Sequence, residues 1–121
     1  MRSLMKNAVV LGSFLAVVTL IAAPASAQGA AAPGAAAKGA AVYAAQKCAT
    51  CHALDGKGMA KGPLDGVGSK FTADEIKAWI VTPAEMSKKH NATRKPPMRA
   101  YASLPAADLD ALVAFLASKK K

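Results

Sequence analysis

The sequence predicts a small all-α domain, and three observations carry that expectation. Stretches beginning near Gly39, Thr72 and Pro105 space their apolar residues at helical intervals. The chain is rich in alanine and lysine and offers no βαβ pattern. Of 64 hydrophobic residues among 121, 30 are alanine, so the bulky apolar supply builds only a thin core. A core of that size is marginal without help, and a bound cofactor is the economical source of it. The length also argues against a large enzyme.

Taken in order, the first element does not belong to the fold. Arg2 and Lys6 precede an apolar run from Ala8 to Ala23, followed by Pro24 and Ala25-Ser26-Ala27. The run falls short of the ~18 residues a spanning helix wants, and the small-x-small tripeptide offers a cleavage site, so residues 1–27 read as a secretory signal peptide. An uncleaved anchor is the alternative. No Cys follows the site and no twin-arginine pair precedes it, which favours the general secretory route and a periplasmic destination. Beyond it the chain carries 14 basic and 7 acidic residues, a balance of +7. Residues 28–37 are Gly, Ala and Pro with one Gln, and read as a flexible tail ahead of a domain spanning 38–121.

Gly39 to Ala49 is rich in helix formers, with Val42, Tyr43 and Gln46 spaced as a short helix that leads into Cys48-Ala49-Thr50-Cys51-His52. Two thiols three residues apart on one turn each add to a haem vinyl group, and the adjacent histidine then faces the iron. Other readings of the pair are a Cys48–Cys51 disulfide, a thioredoxin-like redox pair or half a zinc site. The redox pair wants a βαβ context, and zinc wants a second ligand pair where only His90 is left to offer. Cys48 and Cys51 are therefore assigned to thioether bonds with one haem c, and His52 to its iron.

With these residues in view, the chain from about Gly39 to Lys119 resembles a class I c-type cytochrome. The resemblance implies a small all-α fold whose N- and C-terminal helices cross around one covalently attached haem. It also implies export, because thioether formation belongs to the far side of the membrane. After His52 the glycines and Pro63 make a loop that lets backbone approach a flat ligand. In the family, a proline carbonyl at the Gly-Pro position accepts the free ring N–H of the axial histidine, which makes Pro63 the candidate here.

Thr72 and Glu75 form a capping box for a helix through about Val81, ended near Pro83, with Ile76, Trp79 and Ile80 on one face. By resemblance Trp79 points its indole N–H at a haem propionate; ordinary packing is the other reading. The second axial ligand is sought among Met59, Met86, Met98 and His90. Met59 is too close to His52 to reach the opposite haem face, and Met86 lies in a polar run too early for the family pattern. Met98 sits in a proline-stiffened loop just before the last helix, where the family places its ligand, and is preferred; His90 is the rival. The loop departs from many relatives, which follow the methionine with proline where this chain has Arg99.

Pro105, Asp108 and Asp110 open the last helix and Lys119-Lys120-Lys121 close it, favourable to its dipole. Leu109, Leu112, Val113 and Leu116 form one stripe, flanked by Phe115, expected to pack on the Gly39–Tyr43 face.

A His/Met pair closes both axial positions, so the expected function is single-electron transfer rather than catalysis. Alternatives are a haem subunit of a larger periplasmic dehydrogenase and a ligand-binding or peroxidatic protein with a labile sixth position. Lys47, Lys57, Lys61, Lys88, Lys89, Arg94, Lys95 and Arg99 predict a basic rim that docks redox partners with acidic surfaces. Nucleic acid is excluded by compartment. The expected state is a monomer or a complex subunit, peripheral to the membrane at most.

Overall fold

The computed structural model describes residues 33–121. The expected signal peptide and the first part of the tail lie outside the described residues. Five α-helices and one small hairpin follow in order: α1 Pro33–Ala45, α2 Val67–Lys70, α3 Ala73–Val81, α4 Pro83–Lys89 and α5 Ala106–Ala117, with strands β1 Ala53–Leu54 and β2 Lys57–Gly58 between α1 and α2. The all-α expectation holds.

Helix α1 includes Pro33 and the residues after it, so residues 33–37, expected as tail, are helical. The alanines that follow Pro33 are the strongest helix formers. The helix stops at Ala45. Lys47 then takes a left-handed conformation, φ 55°, and Cys48–Thr50 form a single 3₁₀ turn.

Helices α1 and α5 make the most extensive contact between elements. A Cβ on Gly39 would overlap the Ala111 carbonyl and the Phe115 side chain, so glycine is what lets the two backbones touch. Around this crossing gather Val42, Val67, Ile76, Ile80, Leu109, Leu112, Val113 and Leu116. Burying each such side chain contributes about 1.5–3 kcal/mol, a modest total for the domain. Leu109, Leu112, Val113 and Leu116 are the stripe the periodicity predicts.

Helix α3 begins as the capping box requires. Thr72 Oγ1 accepts from the Glu75 amide at 3.3 Å, and the Glu75 carboxylate accepts from the Thr72 amide at 3.0 Å. Pro83 does more than end this helix: it occupies the first turn of α4, whose Met86 is buried although its neighbours are polar. The loop after His52 also holds more order than its glycines predict. Strands β1 and β2 pair antiparallel, and Ala53 makes a parallel bridge with Pro63. From Asn91 to Pro105 the chain runs without regular structure.

Candidate functional site

The 3₁₀ turn places both thiols at the mouth of a cavity of about 580 Å³. Cys51 N–H and His52 N–H both donate to the Cys48 carbonyl, at 3.1 and 3.0 Å, which holds the pentapeptide in one compact turn. No disulfide joins Cys48 and Cys51. Burial pushes the Cys48 thiol up from its ordinary value, which does not suit a redox-active thiolate. Among the described residues no group of three or more His, Cys, Asp or Glu is arranged to hold a metal ion, which counts against the zinc reading.

His52 Nδ1–H donates to the Gly62 carbonyl at 3.1 Å. This corrects the expectation for Pro63 by one residue. The same Gly62 carbonyl accepts from Ala53 N–H at 3.0 Å, and Leu64 N–H returns a bond to the Ala53 carbonyl at 2.8 Å. In such an extended bridge successive carbonyls point to opposite sides, so Gly62 rather than Pro63 faces the ring. The bond fixes the tautomer and leaves the Nε2 lone pair free. Burial first, and the nearby Arg94 guanidinium, push the His52 pKa below its ordinary value, against the opposing pull of the Gly62 bond. At neutral pH the ring is thus an uncharged imidazole able to ligate.

Apolar side chains of α2, α3 and α5 line the cavity floor, including Val67, Ile76, Ile80, Leu112 and Leu116. Of the four candidates for a second ligand, Met98 lines the cavity; Met59, Met86 and His90 do not. Met59 is 46% exposed and Met86 is buried elsewhere. His90 stacks outside, its ring centroid 5.2 Å from Phe71 and 5.7 Å from Trp79. Two polar atoms, Tyr43 Oη and Trp79 Nε1, are buried with no hydrogen-bond partner, and both residues line the cavity. Buried donors are seldom left unpaired, so the cavity fits a group that is mostly apolar and carries acceptors at its edge. Haem, with its flat ring and two propionates, is such a group.

A sequence model of the Cytochrome c family matches residues 36–120. The chain belongs to the cytochrome c family. Comparisons with curated proteins and with solved structures found no match. As a cytochrome c it is a haem-based electron-transfer protein, its cofactor is covalently attached haem c, and Cys48 and Cys51 belong to the attachment motif. Membership implies redox partners, and no helix among the described residues is long and apolar enough to cross a membrane.

Charge is unevenly placed on this cytochrome c. Lys47, Lys61, Arg94 and Arg99 line the cavity, and no Asp or Glu does. The ion pairs among the described residues, Lys38–Asp108, Lys77–Asp110, Lys89–Glu75 and Lys119–Asp55, involve none of these four cations. Sequence reading missed two contributors. Tyr43 was hidden because its spacing reads only as core, and the Gly62 carbonyl has no side chain to signal it.

Proposed function

We propose that this cytochrome c is a periplasmic carrier of single electrons, exported by a cleaved signal at residues 1–27, with His52 and Met98 as the axial ligands of its haem iron. The observation that carries the reading is that Met98 shares one cavity with His52 and both thiols, while Met59, Met86 and His90 lie outside it. Bound there, haem c supplies an iron that alternates between ferric and ferrous states. The chain's part is to hold and shield it. Cys48 and Cys51 tether it, the Gly62 carbonyl orients His52, and the apolar floor excludes water. The unpaired Trp79 N–H is placed to donate to a propionate. A thioether supplied by Met98 would favour the ferrous state and would leave no position for outside ligands.

Lys47, Lys61, Arg94 and Arg99 around the opening favour partners with acidic docking surfaces, held briefly as a carrier requires. The test is the visible spectrum of the dithionite-reduced protein before and after carbon monoxide. A sharp low-spin spectrum unmoved by the gas is expected; a shift would mean an open sixth position and move the reading to ligand binding or peroxide chemistry.

A further inference from the structure

The segment from Asn91 to Leu104 that carries Met98 has no helix or strand to hold it. Among the described residues, two hydrogen bonds tie this segment to distant parts of the fold, one on each side of Met98. Downstream, Tyr101 N–H donates to the Ile80 carbonyl at the end of α3, at 2.9 Å. Upstream, the Arg94 guanidinium donates through Nη2 to the Cys51 carbonyl. The same guanidinium also lies against Gly62, where a built Cβ would overlap Arg94 Nη1 and the Cys51 carbonyl. Gly62 is the residue whose carbonyl orients His52. Arg94 therefore touches the turn that carries the thiols and the loop residue whose carbonyl supports the histidine, from a position four residues before Met98.

We infer that Arg94 is a positioning residue, a clasp that holds the Met98 loop closed over the haem cavity by fastening it to the Cys51 and Gly62 backbone. The inference rests on Met98 being the sixth ligand. Arg94 is exposed, so the bond adds little to global stability; its effect falls on the local opening of one loop. A fork-shaped guanidinium suits this task, since it grips a carbonyl while lying against a glycine. Arg99, beyond Met98, is turned to Tyr101 instead, donating from Nε to the phenol oxygen at 3.1 Å, and does not share the work.

An external ligand reaches the iron only while the loop is open, so its apparent affinity scales with the open fraction. The test is titration of the ferric, haem-loaded protein with imidazole, followed by the visible spectrum. Arg94→Gln is expected to tighten imidazole binding about tenfold, with the urea unfolding midpoint nearly unchanged. Lys95→Gln, which removes a neighbouring charge without touching the clasp, is expected to bind as wild type does. Met98→Ala is expected to bind far more tightly, with Arg94→Gln adding nothing in that background. If Met98→Ala tightens binding and Arg94→Gln does not, the clasp is wrong while the ligation stands. If Met98→Ala matches wild type, the ligand assignment itself fails. Should Arg94→Gln not retain haem, Arg94→Lys is read in the same titration, where a gain of about threefold is expected and wild-type affinity would overturn the proposal.

Discussion

The Trp79 indole shows how single residues carry this site. Its N–H is buried without a partner, a state that costs about 1–3 kcal/mol. The rings of Phe71 at 6.1 Å and His90 at 5.7 Å pack against the indole, so turning it to water would break both contacts. The economical resolution is an acceptor on the bound haem. Trp79→Phe in the haem-loaded protein is therefore expected to lose about 1–3 kcal/mol of unfolding free energy, seen as a lower denaturant midpoint at unchanged slope. An unaltered or raised midpoint would mean that the N–H finds no acceptor. The cavity gathers His52 and Met98, the proposed ligands, beside the two thiols, and the attachment motif was legible in the sequence from its spacing. The orienting carbonyl was not, because choosing between Gly62 and Pro63 depends on which way a peptide faces, and one step along an extended chain reverses it.

Elements were legible where a side-chain signal marked them. The Thr72–Glu75 box starts α3 where expected, and the α5 stripe is buried as its period requires. The short pieces were not. Strands of two residues show no period, and Pro83 reads equally as the end of α3 or the start of α4. Helix α1 reached back to Pro33 because alanine, which adds nothing to a core, is still the best helix former. The box also predicts a pH response. The Glu75 pKa is held below its ordinary value, first by the hydrogen bond from the Thr72 backbone and then by the Thr72 hydroxyl, with Lys89 adding to the pull. A carboxylate whose folded pKa is depressed stabilises the fold above its unfolded value, near ~4.3, and that contribution is lost as pH falls through the folded value. Glu75→Gln keeps the box but cannot titrate, so the variant is expected to show a flatter fall in stability below about pH 4.3 than wild type, measured by urea unfolding across the acid range. Parallel curves would remove Glu75 from the acid response.

At the scale of the whole molecule, the cations that line the cavity are not the ones held in ion pairs. The paired cations lie on α1, α3, α4 and the chain's end, where Asp108, Asp110, Glu75 and Asp55 answer them. Around the cavity Lys47, Lys61, Arg94 and Arg99 stand without a carboxylate among the lining residues. Composition gives the excess of base over acid but not where it lies, which depends on how α1 and α5 cross and where the segment carrying Met98 returns. A positive field around the cavity opening would speed encounters with anions and slow those with cations, and salt screens both over a Debye length of about 10 Å at 0.1 M. The oxidation rate of the reduced protein by ferricyanide is therefore expected to fall several-fold as ionic strength rises from about 0.01 to 0.5 M, and the rate with a cationic cobalt complex of similar size to rise. The opposed slopes are the decisive feature, because net charge alone acts on any face, whereas neutralising Lys47 and Lys61 by Gln should flatten both slopes more than neutralising Lys38 and Lys77 does. Equal flattening by the two pairs would mean that electrons leave without regard to the basic rim.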